Sequence, residues 1–307
     1  STRIACLQYN DPMRECMHVR VSPVSWTVES MACAQGDGFA LNRTARCSKD
    51  TMQAATNDGE LADSWPRKWE TWQILVLATV SIGGLELVMN YIVPFVATKL
   101  FRVKADVPRK GKHLDHFDAT AQAFVMFSKS MIVLFMYHMI NFAWFSPQVL
   151  WGLDTMSVWN TILPLPVFFI MYDSVYHPWH RFMHWKPLYP YIHKHHHQQM
   201  VPTRGYLDGI NVHPIEFVSG EYLHLGVLKV YGDYIGQIHV SAVVLFILIG
   251  GSIASLNHTR LNVIVKDWVG TIYHDIHHSV VPFEQNYSQY SMVWDKIYGT
   301  YLPKKSK

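Results

Sequence analysis

Residues 157–197 read SVWNTILPLPVFFIMYDSVYHPWHRFMHWKPLYPYIHKHHH. An apolar run over 157–176, with Pro164 and Pro166 near its middle and Asp173 near its end, leads directly into two clusters of histidine. These are His180-Arg181-Phe182-Met183-His184 and His193-Lys194-His195-His196-His197, and a third, His274-Asp275-Ile276-His277-His278, follows downstream. In one-letter form they are HxxxH, HxxHH and HxxHH, and half of the chain's 18 histidines lie in them. On a helix, residues three or four apart share a face, so each box aims two or three imidazoles at one point. Neutral imidazole is a borderline ligand suited to Fe, Zn, Cu and Ni. Eight such ligands exceed the roughly four to six positions of one ion, which points to two metals. One HxxxH alone would read as surface histidines or a pH-responsive patch. Three boxes beside membrane-type sequence do not.

The chain has 307 residues, of which 50% are hydrophobic and only 16% charged. Length argues for one domain with a large core, and the long apolar stretches turn that toward an integral membrane protein. A formal charge of +3, with no basic run interleaved with aromatics, excludes a nucleic-acid partner. All four cysteines, Cys6, Cys16, Cys33 and Cys47, lie in the first fifty residues without CxxC spacing, which argues against a zinc knuckle. Two disulfides in an oxidising compartment and four free thiols both fit. Asn42-Arg43-Thr44 is a glycosylation sequon, meaningful only if this segment faces a lumen.

Residues 1–64 read as an irregular N-terminal extension that needs a partner or disulfides to be ordered. Residues 65–307 read as the membrane-embedded domain. Trp65, Trp69 and Trp72, with Arg67 and Lys68, form an interfacial anchor. Spans are expected over 72–99, 121–146 and 157–176. Glu86 and Asn90 interrupt the first, and an intramembrane carboxylate should face protein. The loop after it carries Arg102, Lys104, Arg109, Lys110 and Lys112, which makes it cytoplasmic by the positive-inside rule. The N-terminal extension then lies opposite, and the third span returns the chain to the basic side, where the first two boxes follow. For the third box to join them, residues 214–256 must cross an even number of times or not at all. A helical hairpin is expected: Ile215–Tyr231 in, a turn at Gly232-Asp233, and Ile238–Leu256 out. Glu216, Glu221, His224 and Lys229 place its first arm against protein. The expected fold class is all-α: an integral membrane helical bundle of about three spans plus this hairpin, under a histidine-rich, cytoplasmic-side metal-binding cap. Lys304-Lys305-Ser306-Lys307 reads either as a dilysine retrieval signal of the endoplasmic reticulum or as a solvated basic tail.

From Asp173 to Thr300 the chain resembles the fatty acid hydroxylase and sterol desaturase superfamily of membrane di-iron oxidases. The matching pieces are Asp173…Tyr176, HRFMH at 180–184, Leu188-Tyr189, HKHHH at 193–197 and HPIE at 213–216. They continue with HDIHH at 274–278, Asn286-Tyr287, Trp294-Asp295 and Tyr298-Gly299-Thr300. The HPIE element and the closing motifs resemble the sterol C5-desaturase and C4-methyl oxidase branch more than the ceramide hydroxylases. Departures are His177-Pro178 before the first box, Ser288 after Asn-Tyr, and His258-Thr259-Arg260 before the last box. By box matching, the resemblance implies His180, His184, His193, His196, His197, His274, His277 and His278 as metal ligands. His258 resembles a ninth, and His213 is either a ligand or a donor to one. His195 falls off the HxxHH pattern. His113, His116, His138, His177, His224 and His239 are expected to be structural or solvent-facing. Asp173, Glu216 and Asp275 could accept the outer N–H of ligand imidazoles, and Arg181 and Lys194 could pair carboxylates.

The resemblance implies an O₂-dependent oxidoreductase with two Fe ions, Zn being a substitute in preparations, that hydroxylates or desaturates a lipid. A sterol ranks ahead of a fatty acyl chain. The EXXH motifs of soluble carboxylate di-iron proteins are missing, so an all-nitrogen site is the better description. No haem- or flavin-binding segment is recognisable, so the resemblance implies a separate electron donor: cytochrome b5 with a reductase, or a ferredoxin in a plastid. The endoplasmic reticulum is the expected membrane, with another organelle as the alternative. A different class of reading is a non-catalytic structural subunit of a larger membrane complex that keeps the fold and the metal site. A zinc hydrolase fits poorly, because catalytic zinc typically takes about three protein ligands and a water.

Overall fold

The computed structural model describes residues 69–104, 113–261, 263–265, 268–279 and 283–303, and the backbone of three strands nearer the N-terminus. The sequon, Cys6, Cys33, Cys47, the basic residues 109–112 and the 304–307 tail lie outside the described residues. Ser1–Pro66 forms a unit of its own. Within this segment, expected to be irregular, β1 (Arg3–Ala5), β2 (Glu15–Val21) and β3 (Trp26–Ala32) pair antiparallel, with Val19 opposite Val28. Strand formation rests on cross-strand pairing more than on local propensity, so a weakly periodic sequence gave no warning of it.

Among the described residues, three helices are long and apolar enough to cross a membrane: Thr71–Leu100, Ala119–Phe145 and Val158–Met183. In the first, α1, an α-helical stretch to Leu87 gives way to π-helical turns at Val88–Ile92 and Val96–Leu100, on either side of Pro94. Proline has no N–H to donate and crowds the preceding turn, and widened turns absorb that misfit. Val80, Leu87, Tyr91 and Phe95 are exposed, as a lipid-facing surface requires. Glu86 does face protein: its carboxylate lies 2.9 Å from the ammonium of Lys129. Lys129 belongs to α2 (Ala119–Phe145), which starts where the Asp118 carboxylate accepts the Ala121 N–H at 2.7 Å.

The third span opens with a short turn at Val158–Thr161 and continues as α3, Pro164–Met183. Pro164 and Pro166 therefore sit in the first turn of α3, where a missing N–H costs nothing, and not in mid-helix as the sequence suggests. The helix also runs beyond residue 176, so the first histidine box sits on the last turns of the membrane helix itself.

The expected hairpin is present as α4 (Pro214–Tyr234) and α5 (Val240–Leu256). Its turn comes after Tyr234 instead of at Gly232-Asp233. At its tip, Val149–Leu150 pair in parallel with Ile238–His239 (β4 and β5), and the Ile238 N–H donates to the Gln148 carbonyl at 2.9 Å. The tip is thus tied to the loop between α2 and α3, at the end away from the boxes. Residues 113–117 sit at the opposite end, where the Leu114 N–H donates to Gln199 and Arg204 stacks on Phe117 at 4.0 Å. The hairpin leaves from the histidine end and returns to it.

Helices α2 to α5 share a core of Phe135, Phe168, Leu228, Tyr231, Ala242 and Phe246. The Phe168 ring lies 4.9 Å from that of Tyr231 and 5.1 Å from that of Phe246. Lipid tails are as apolar as these side chains, so dispersion and hydrogen bonds hold such helices together more than exclusion of water does. Gly250 allows one close approach: a Cβ there would lie 3.0 Å from the Tyr290 hydroxyl.

The fold is closed by α6 (Thr271–Ser279), α7 (Val293–Tyr298) and the extended chain between them. That chain is held to α3 by buried Asp173. Its carboxylate accepts the N–H groups of Gln289 (3.0 Å), Tyr290 (3.2 Å) and Ser291 (2.7 Å) and the Ser291 hydroxyl (2.9 Å). Removing it strands four donors, and each buried unsatisfied group costs about 1–3 kcal/mol. Asp173→Ala should therefore lower the unfolding free energy in detergent by about 3 kcal/mol or more, measurable as a fall in Tm; an unchanged Tm would contradict this role.

Candidate metal centre

His180 lies on the last turn of α3 and His184 is its C-cap. The second box is not on a regular helix: Pro187 and Pro190 precede it, and residues 187–195 form successive turns ending in a short 3₁₀ segment at His196–Gln198. Helix-like bonds from His193 N–H to the Tyr189 carbonyl (3.2 Å) and from His197 N–H to the His193 carbonyl (3.4 Å) keep the helical stagger. His274, His277 and His278 lie on α6, and His258 follows the end of α5.

Nine imidazoles gather into two groups. His180, His184, His193, His197 and His277 form one; His196, His258, His274 and His278 form the other. Within each group one donor nitrogen per residue lies within 4.8 Å of the others. Boxes two and three are each divided between the groups, which spacing alone did not reveal. His213 belongs to neither. It caps α4, its Nδ1 accepting the Ile215 N–H at 3.2 Å.

The Nε2 atoms face inward. In the five-histidine group, His180 and His193 are 2.9 Å apart, His193 and His197 3.0 Å, and His184 and His277 3.2 Å. In the four-histidine group, His278 lies 3.1 Å from both His196 and His274, and His258 lies 3.2 Å from His274 and 3.5 Å from His196. These contacts are not ordinary hydrogen bonds. Nδ1 donates to a backbone carbonyl in His180 (Tyr287, 2.7 Å), His277 (Gln285, 2.7 Å), His278 (Gln199, 3.1 Å) and His258 (Ala254, 2.9 Å). That assignment puts the proton on Nδ1 and leaves Nε2 as a lone pair. Lone pairs about 3 Å apart repel unless a cation lies between them. Nitrogens about 2.1 Å from one ion, at right angles or tetrahedral, are themselves about 3.0–3.4 Å apart. The donor set therefore fits two imidazole-bound metal ions.

Electrostatics agree. Burial, reinforced by neighbouring imidazoles, pushes His184 down to about 2 and His193, His196, His197, His274, His277 and His278 well below the usual histidine range. All are neutral at physiological pH, the form that binds metal.

Of the three carboxylates expected to support the ligands, only Glu216 does so, with Oε1 2.8 Å from His193 Nδ1. Asp173 anchors residues 289–291, and Asp275 pairs with Arg260. Arg181 and Lys194 are exposed and form no ion pair among the described residues, contrary to expectation. His195 bonds Asn211, His138 bonds Tyr222, His224 bonds Tyr290, His113 meets the Val201 carbonyl, His239 caps α5 and His116 is exposed. None of these joins a group. Backbone carbonyls do most of the orienting, and no side-chain motif announces them. Asn286, at φ 55° in the left-handed region that asparagine tolerates, lies between the two carbonyls that hold His277 and His180.

Sequence reasoning noticed Asp295 only as part of a motif. Its carboxylate accepts the N–H groups of Tyr287 (2.8 Å) and Ser288 (2.9 Å) and the Thr300 hydroxyl (2.7 Å), with His177 Nε2 at 3.3 Å. It thereby fixes the chain that presents the Tyr287 carbonyl to His180. Burial alone would raise its pKa, but bonds from His177, Thr300 and Ser288 outweigh that and bring it to about 2. A depressed carboxyl stabilises the fold above its unfolded value near 3.9 and loses that contribution as pH falls toward about 2. Asp295→Asn should remove about 2 kcal/mol of stability at neutral pH and flatten acid unfolding between about pH 4 and 2. An unaltered acid profile would contradict it.

A cavity of about 160 Å³ opens among α1, α2, α4 and α5 and ends at His196, His258 and His274 of the four-histidine group. Leu85, Met89, Ile132, Phe135 and Ile247 supply apolar walls. Its position lets an apolar molecule reach the imidazoles from between membrane helices.

Residues 165–300 match the family model described as fatty acid hydroxylase. The chain is 29% identical over 158 residues to methylsterol monooxygenase erg25B of Aspergillus fumigatus, covering 49% of this chain and 52% of that protein. It is 31% identical over 160 residues to sphingolipid C4-hydroxylase sur2 of Schizosaccharomyces pombe, covering 48% and 52%. It is 27% identical over 162 residues to lathosterol oxidase of Rattus norvegicus, covering 48% of each. The chain thus spans about half the length of the curated relatives it matches. No solved structure matches it. Both histidine groups fall inside residues 165–300, the stretch that matches the fatty acid hydroxylase family model.

Proposed function

We propose that this chain is an O₂-dependent membrane oxidase that uses two iron ions to hydroxylate or desaturate a lipid, a sterol ahead of a fatty acyl chain. The observation that carries this reading is the pair of neutral imidazole groups at the end of an apolar cavity between membrane helices. Five nitrogens at one group and four at the other leave open positions on six-coordinate ions, as oxygen chemistry requires. When bound, the irons supply the oxidising power to take hydrogen from an unactivated C–H bond. The chain's own residues do the rest. Backbone carbonyls hold Nδ1 protonated in His180, His258, His277 and His278 and so keep Nε2 available there, and the Glu216 carboxylate lies 2.8 Å from His193 Nδ1. The cavity walls orient the lipid and exclude water.

The relatives' names favour a lipid substrate and include sterol enzymes and a sphingolipid enzyme. Electrons, two per O₂, come from a separate donor such as cytochrome b5 with its reductase, or a ferredoxin. The histidine end shares its side of the bundle with the segment that follows the basic 102–112 loop, so we assign the metal centre to the cytoplasmic face of an endoplasmic reticulum membrane. Labelling of a cysteine introduced at exposed Lys194 in sealed vesicles tests that side.

Elemental analysis should find two metals per chain. His277→Ala and His196→Ala, one from each group, should each lower that number, and a single ion per chain would refute the two-centre reading. With reductant and donor, the intact protein should consume O₂ and convert a lipid. His184→Ala, His197→Ala and His278→Ala should each reduce product formation at least 100-fold while the protein still inserts in the membrane. Unchanged sterol and lipid profiles in a knockout, together with stable co-purification in a large membrane complex, would favour the structural-subunit reading instead.

A further inference from the structure

Helix α4 carries Phe217, Gly220, Glu221 and His224 along one face, at the spacing of successive turns, and all four line the cavity. Two of the neighbouring polar side chains there are engaged. The Tyr172 hydroxyl donates to the Gly220 carbonyl at 3.0 Å. His224 uses both nitrogens, Nε2 with the Tyr290 hydroxyl at 2.6 Å and Nδ1 with the Glu221 carbonyl at 3.0 Å. The Glu221 carboxyl, by contrast, has no hydrogen-bond or ion-pair partner on either oxygen among the described residues, whereas Glu216 has His193 beside Oε1. The contrast with Glu86, which has Lys129 at 2.9 Å, is direct. A carboxyl withdrawn from water without a partner is costly, and an ionisable residue within a membrane bundle marks a functional site by default.

We infer that Glu221 receives the hydroxyl group of a lipid lying in this cavity and so sets which of the lipid's carbons reaches the histidines. A ligand hydroxyl both donates and accepts a hydrogen bond, so it satisfies the carboxyl in either protonation state. The apolar walls disfavour a charged headgroup. Along α4, Glu221 lies five residues beyond Glu216, about 7.5 Å at the helical rise, and Glu216 touches His193. A hydroxyl held at Glu221 is thus kept away from the metal centre while the hydrocarbon reaches toward it. The class selected is a lipid with a compact, uncharged hydroxyl end, a sterol or a long-chain alcohol, and not an acyl chain lacking one. Only the consequence for regiochemistry rests on the oxidase reading; the binding itself needs neither O₂ nor reductant.

The test uses the full chain in lipid nanodiscs with metal content verified. The probes are tritiated cholesterol and tritiated hexadecanol, each beside its O-methyl ether. At least one free lipid should bind tenfold or more tightly than its ether, and which pair discriminates identifies the source. Glu221→Leu should abolish the discrimination and Glu221→Gln should retain it. In unmutated protein, dicyclohexylcarbodiimide should modify Glu221, located by peptide mass spectrometry, with the free lipid protecting it and the ether not. This labelling stands even if Glu221→Leu fails to fold. Equal binding of both lipids and their ethers, discrimination that survives Glu221→Leu, or labelling insensitive to lipid would each overturn the inference. Such a result would leave the oxidase reading to its own O₂ and product assays.

Discussion

Nine neutral imidazoles with their lone pairs turned toward one another are the constraint around which this molecule is built. Without cations, Nε2 lone pairs about 3 Å apart repel, and in His180, His258, His277 and His278 the proton sits on the outer nitrogen, donated to a carbonyl. The carbonyls of Gln199, Ala254, Gln285 and Tyr287 therefore matter as much as the histidines they orient. They decide which nitrogen faces inward. Two of them, Gln285 and Tyr287, lie on the chain between α6 and α7, which has little regular structure of its own.

Two carboxylates hold that chain in place. Asp173 reaches it from the membrane helix, and Asp295 from the short helix that follows. Each accepts at least three hydrogen bonds from backbone and hydroxyl groups. In a bundle where hydrophobic exclusion contributes little between helices, such multiply bonded polar anchors replace part of what an aqueous core would supply. They also link the membrane-spanning part to the metal centre, because α3 carries both Asp173 and His180.

The same economy makes Glu221 conspicuous. Glu86, Asp173, Glu216 and Asp295 each face a partner inside the protein, whereas Glu221 faces a cavity. Position on one helix separates the duties of two neighbouring acids: Glu216 steadies an imidazole, and Glu221, further down, meets whatever occupies the space between the helices.

Much of this architecture was legible in the sequence. Apolar runs, the basic loop and the need for an even crossing count implied three spans and a hairpin, because hydrocarbon leaves few alternatives to a helix. Box spacing named eight of the nine histidines that converge, since helical periodicity places residues three and four apart on one face, and the family resemblance added His258. What tertiary structure alone decided was their division. His196 and His197 are adjacent in sequence yet belong to different groups, because a local turn, not a straight helix, carries them. It also decided that His213 caps a helix, that Asp173 and Asp275 serve the backbone and Arg260, and that carbonyls orient the imidazoles. Contacts over a hundred residues of chain, such as His180 with Tyr287, leave no periodic trace, so only folding brings them into view.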